Sequence, residues 1–353
     1  MTPYEWHREE WRELLSKAGR LPHAILLGGA EGLGKSAFGQ ALAAHLLCER
    51  VGGELEDGIA CGVCSSCNWL LSGNHPDFRL VQPEEANSED AGDDIAEPGK
   101  GDSMIRKPGQ GQLRIDQIRA LEDFVFIGSH RQGNRVVLIS QAETMNPAAA
   151  NALLKILEEP PPSVYFILIS SNWRRLLPTL ISRCRTLILG YPDKKAARTW
   201  LTEKGIKEAD VLLDLAGGVP LRAADWREKG LFEAYTSLIE TLLSNVTDPV
   251  SMASKWAVLL KTGSGLALSQ LVEAIQKWVI DLGMLKIAGR CRYHQAWEGK
   301  MLVLAGKASA PGIMACYNEL LRIRAVARHP LNPQLFLEDI AARYLRCLAP
   351  GKA

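Results

Sequence analysis

The sequence predicts an α/β domain built on a parallel sheet, followed by a purely helical region. Three stretches carry that prediction. Val136-Val-Leu-Ile139 and Val164-Tyr-Phe-Ile-Leu-Ile169 are short apolar runs, the pattern of strands covered by helices on both faces. Gly29-Ala-Glu-Gly-Leu-Gly34-Lys35-Ser36 is a full phosphate-loop pattern between an apolar run and a helix-forming segment. From Tyr191 onward the apolar spacing is helical throughout.

The 353 residues suffice for two or three domains. Hydrophobic residues make up 47% and charged residues 23%, as in ordinary globular proteins. A formal net charge of +1 gives no whole-molecule field to attract nucleic acid, so any DNA contact must be local or weak. The first ten residues are too charged for a signal peptide. No run approaches the roughly 18 apolar residues of a membrane span. The cytosol is the expected compartment.

Residues 3–18 are expected to form an amphipathic helix, with Trp11, Leu14, Leu15 and Ala18 on one side. A strand follows at Ile25-Leu-Leu27, then the phosphate loop, then a helix from Ala37 to Leu47. In such a loop glycines let backbone N–H groups face phosphates, Lys35 neutralises them and Ser36 can reach Mg²⁺. The loop either holds a nucleotide or survives as an empty scaffold. Next come Cys48, Cys61, Cys64 and Cys67. Two overlapping C-x-x-C turns plus a cysteine at a helix end can close a tetrahedral Zn²⁺ site. Thiol redox chemistry normally uses one C-x-x-C, and isolated structural cysteines need no such spacing. Four protein ligands leave no open position, so the metal is expected to be structural, and the nearby His75 a loop residue.

A short strand is expected at Phe78-Arg-Leu-Val81. Residues 83–112 differ in kind: eight acids and one lysine fall between Pro83 and Ser103. Such a stretch cannot bury enough apolar surface to order itself, and reads as a mobile acidic insertion. Ile115, Ile118 and Leu121 are spaced to face a core from a helix. Between the two central strands, Asn151 to Glu159 reads as a helix stopped by Pro160, Pro161 and Pro162. In the helical region, helices are expected from Asp193 to Lys204, from 207 to 216 and from Leu221. Further helices are expected near 231–245, 249–262, 266–286, 311–328 and 333–348. Asn332-Pro333 caps the last of them, whose apolar side is Leu335, Phe336, Ile340, Tyr344 and Cys347. Trp256 and Trp278 are core or interface anchors.

This order of strand, helix, strand and then Ser182-Arg183-Cys184 resembles the AAA+ clamp-loader subunits of the bacterial replicase, DNA polymerase III. The segment from Ala149 to Pro161 and the triplet carry the likeness, and a cysteine module after the first helix supports it. The resemblance is weakest in the last third. It implies an AAA+ module over residues 1–190, with the zinc module at 48–67, a helical lid over 191–232 and a helical collar over 233–353. It implies that Arg183 is an arginine finger reaching a neighbouring subunit's ATP, with Lys155 assisting in trans. It places Asn172 and Arg222 where the family keeps two nucleotide sensors. The alternatives are simple turn residues at Ser170–Asn172, a solvated Arg222, and an Arg183 paired with an acid of its own chain.

One departure from the family pattern is informative. A hydrolysing member ends its central strand in Asp-Glu, to organise Mg²⁺ and polarise water. Here those positions are Ser140 and Gln141. ATP or ADP can then bind without hydrolysis, and Mg²⁺ is not expected to be held firmly. The resemblance thus implies a silent stator of the loader, itself part of the polymerase holoenzyme rather than an ATPase. Its partners would be gamma/tau and delta subunits, the sliding clamp and, through the complex, primed DNA, in the bacterial cytosol. An active gamma/tau-type ATPase and a zinc-dependent nucleic-acid-binding protein with a relic phosphate loop remain the alternatives.

Overall fold

The structure, a computed structural model, describes residues 1–16, 21–50, 56–83, 111–126, 133–244, 246–261, 266–326 and 332–349. The acidic insertion expected at 83–112 lies almost wholly outside them, as does Ala18. The described residues divide into two compact units, the first ending at Asp193 and the second beginning at Lys194.

The first unit is a five-stranded parallel sheet: β1 Ala24–Gly28, β2 Phe78–Val81, β3 Arg135–Ile139, β4 Val164–Ser170 and β5 Arg185–Ile188, in the order β2-β3-β4-β1-β5. Its helices are α1 Arg8–Ser16, α2 Lys35–Leu47, α3 Ser65–Leu71, α4 Ile115–Phe126, α5 Pro147–Glu158 and the single turn α6 Pro178–Ile181. Strands β1 and β3 are buried along their whole length, as the apolar runs required. Alternate residues feed two cores. Leu26, Val137, Ile139, Phe166 and Leu168 face α4 and α5, while Ile25, Leu27, Val136, Leu138, Ile167 and Ile169 face α1 and α2. Each such side chain contributes about 1.5–3 kcal/mol on burial. Gly39 lets α2 lie close on the sheet, because a Cβ there would meet Ile169 Cδ1 at 3.1 Å and Leu138 Cδ1 at 3.3 Å.

The parallel register sets Gly28 beside both Ser170 and Ile188, and Ile139 beside Val81 and Leu168. The carboxyl ends of the strands therefore share one edge. Helix α5 starts four residues earlier than the apolar spacing suggested. Asn146 accepts from the Ala149 N–H at 2.7 Å and Pro147 takes the first turn, which is a standard cap.

The second unit is helical: α7 Lys194–Glu203, α8 Ala209–Leu215, α9 Pro220–Glu228, α10 Leu231–Leu243, α11 Pro249–Lys261, α12 Leu268–Ala288, α13 Glu298–Lys307, α14 Ala310–Val326 and α15 Pro333–Leu348. One apolar core runs from Ala197 to Cys347, with Trp256 and Trp278 fully buried in it. Asn332 caps α15 by accepting from Gln334 N–H at 3.0 Å. Two expectations need correction. Leu335 is 64% exposed, and α15 instead buries Leu337, Ile340, Ala341, Tyr344 and Cys347. Helix α13 was not expected. It buries Met301, Leu304 and Ala305 but exposes Leu302 and Val303, so its apolar residues form a run that hides the helical period.

Candidate functional site

The phosphate loop leaves β1 at the shared strand edge. Gly29, Gly32 and Gly34 hold φ of 147°, 83° and 95°, conformations that only glycine adopts freely. A Cβ at Gly29 would also meet the Leu189 carbonyl oxygen at 2.7 Å. Ser36 lies in the first turn of α2. Lys35 is buried, and its Nζ donates to the loop's own Ala30 carbonyl at 2.6 Å. A phosphate would have to compete with that carbonyl. Leu33 is held from outside the loop: Trp6 Nε1–H donates to its carbonyl at 3.3 Å and His7 Nε2–H at 2.8 Å. Burial pushes the His7 imidazole below its ordinary value, more than the Leu33 bond and Glu10 push it up. Neither Trp6 nor His7 was marked as a site residue by the sequence, because each reads as part of an amphipathic helix.

Opposite the loop, Ser140 and Gln141 follow β3 with no charge. Gln141 is exposed, with φ of 52°. A carboxylate that the sequence reading missed stands two residues on. Glu143 Oε1 accepts from the Ser171 N–H at 3.0 Å, while its buried Oε2 has no partner. Nothing in the spacing marked it. Ser170 is buried at the end of β4, and its Oγ accepts from the Asn172 N–H at 3.2 Å. Asn172 itself is exposed. Trp173 packs where a Cβ on Gly28 would fall, at 2.8 Å.

Arg183 follows α6. Its Nη2 lies 2.5 Å from Glu158 Oε1 and its Nη1 donates to the Thr179 carbonyl at 3.0 Å. Lys155 is exposed one turn back along α5. Cys184 packs against the α4–α5 core. In the second unit, Arg222 Nη1 lies 3.8 Å from Glu273, which also pairs with Lys277 at 3.2 Å and Arg324 at 3.1 Å.

The four cysteines come together as expected. The Sγ atoms of Cys48, Cys61, Cys64 and Cys67 all lie within 4.8 Å of one another. Sulfurs about 2.3 Å from a tetrahedral Zn²⁺ would sit slightly closer than that, so the set fits the ion. Backbone N–H groups point at the sulfurs: Cys61 N to Cys48, Cys64 N to Cys61 and Cys67 N to Cys64, at 3.4–3.5 Å. Backbone N–H groups of Val63 and Cys64 hold the Cys61 thiol down to about 6. Burial instead pushes the Cys48 and Cys67 thiols up, so a thiolate is favoured by these N–H groups at Cys61 alone. His75 is more than a loop residue. The Asp77 N–H can only donate, so His75 Nδ1 accepts it at 3.0 Å and Nε2 carries the proton. Nε2–H then donates to Ser66 Oγ at 2.7 Å, and Ser66 Oγ–H to the Leu47 carbonyl at 2.5 Å. Both ring nitrogens are engaged, so His75 braces the module and does not ligate.

A parallel sheet in this strand order, with a phosphate loop leaving β1 and an arginine after the last helix before β5, defines a P-loop domain of the AAA+ class. A family model described as DNA polymerase III, delta subunit, matches residues 8–192. The chain is 31% identical to the DNA polymerase III delta-prime subunit of Pseudomonas aeruginosa, over 99% of each chain. It is 34% identical to that of Yersinia pestis, over 96% of this chain and 95% of the relative. Among solved structures, a DNA polymerase III gamma subunit-related protein from Thermotoga maritima aligns over 97% of this chain and 99% of its own, with a TM-score of 0.43 at 16% identity. The chain belongs to the family of DNA polymerase III delta-prime subunits, within the AAA+ clamp-loader family. Among the described residues no helix is long and apolar enough to cross a membrane.

Proposed function

We propose that this chain is the stator of the clamp loader: it completes an ATP site on an adjacent gamma/tau subunit and hydrolyses no ATP itself. The observation that carries the reading is the pair Ser140–Gln141 at the end of β3, beside an intact phosphate loop. Neither side chain can organise a Mg²⁺ shell or serve as a base. Gly29, Gly34, Lys35 and Ser36 can still cradle ATP or ADP, with Asn172 as a further contact. Arg183 would stabilise charge on a neighbour's γ-phosphate, where a planar guanidinium fits best, with Lys155 assisting. The four-cysteine module would hold a structural Zn²⁺. In this reading residues 191–232 form a lid and 233–353 the collar through which the ring assembles with gamma/tau and delta in the bacterial cytosol. The ring opens the sliding clamp and places it on primed DNA.

The test is reconstitution with gamma/tau and delta. Arg183→Ala is expected to lower clamp- and DNA-stimulated ATP hydrolysis at least tenfold without dissolving the complex, a cautious bound for a residue of this type. Unchanged hydrolysis would remove the finger.

A further inference from the structure

Glu158 is the last residue of α5 and is followed by Glu159 and three prolines. A carboxylate at a helix C-terminus faces the negative end of the helix dipole, where a cation is the favoured neighbour. Arg183 supplies that cation. The contact is a close ion pair, with side-chain exposures of 35% for Arg183 and 50% for Glu158. Thr179 takes the other arm of the guanidinium. Within the folded chain Arg183 is therefore engaged on both sides, yet held only by a half-exposed pair and one carbonyl.

We propose that Glu158 is a positioning residue that parks the Arg183 guanidinium within its own chain. The arginine is released to a neighbouring nucleoside triphosphate, whose terminal phosphate carries more charge and more acceptor oxygens than one carboxylate. This rests on reading Arg183 as a trans-acting finger. An exposed pair shifts an equilibrium only a few-fold, so it restrains the arginine against weaker acceptors without blocking a polyphosphate.

In a loader reconstituted from the full chain with gamma/tau and delta, Glu158→Gln is expected to raise kcat/KM for ATP about two- to fivefold at low salt. The gain should shrink as ionic strength rises. Glu158→Asp, which keeps the charge on a shorter stem, should fall between wild type and Glu158→Gln. Glu158→Gln combined with Arg183→Ala should match Arg183→Ala alone. In the isolated chain, phenylglyoxal should label Arg183 faster in Glu158→Gln than in wild type, as followed by peptide mass mapping. If Glu158→Gln leaves kcat/KM unchanged or lowered while Arg183→Ala still cripples hydrolysis, the finger stands and the restraint is overturned. Equal labelling rates overturn it as well. If Arg183→Ala hydrolyses like wild type, both ideas fall together.

Discussion

Tyr344 shows what a single hydroxyl holds. Trp278 Nε1–H donates to it at 3.0 Å, and it donates to the Leu242 carbonyl at 2.9 Å, with Trp278 and Tyr344 fully buried. Tyr344→Phe leaves an indole N–H and a carbonyl unpaired in an apolar core, and should cost about 2 kcal/mol. Arg198→Ala, which breaks the exposed pair with Asp210, should cost at most about 1 kcal/mol. Urea-unfolding midpoints would rank them. Two imidazoles make a pH prediction. Burial pushes both His7 and His45 below the ordinary value, against carbonyl bonds to Leu33 and Gly58. The unfolded chain, titrating near pH 6.5, then binds more protons than the folded one once the pH drops below that value. Stability is full above about 6.5 and falls as the pH descends toward the lowered folded values. Melting temperatures between pH 7.5 and 5.5 should decline, and His45→Gln should flatten part of the slope.

At the scale of elements, the four-cysteine module is the sharpest case. The purified chain should carry one Zn²⁺ by elemental analysis, and Cys64→Ser should abolish it, since three thiolates and a hydroxyl make a poorer set. Full zinc content in Cys64→Ser would refute the ligand assignment. The cysteine spacing made this site legible without any structure. Strands β1, β3 and β4 were legible too, because burial on both faces leaves unbroken apolar runs, whereas β5, which buries none of its residues fully, was not expected. Helix α5 was read short although Asn146–Pro147 is the same cap signature that revealed α15 at Asn332–Pro333. The apolar spacing drew attention away from it. Helix α13 escaped because Leu302 and Val303, both exposed, fill in its polar face. Glu143, Glu158, Trp6 and His7 were beyond reach of the sequence. Their roles come from contacts across 25 or more positions, and no local pattern announces a long-range hydrogen bond.

For the whole molecule, charge and site point the same way. The isolated chain is expected to show no ATP turnover above that of its Lys35→Ala variant. It should also bind DNA weakly at physiological salt, as its formal charge of +1 offers few phosphates a partner. Vigorous turnover by the lone protein would overturn the stator reading. The corner at Gln141 has one more consequence. Its backbone sits in a left-handed turn, with φ of 52°, uncommon for any side chain and most costly for a β-branched one. A β-branched residue would add strain at this position, and Glu, unbranched at Cβ like Gln, would not. On the stator reading, Ser140→Asp with Gln141→Glu would therefore supply both acids without asking more of this turn than Gln141 already does. Whether such a revenant then splits ATP depends on how firmly Lys35 stays clasped to its own loop.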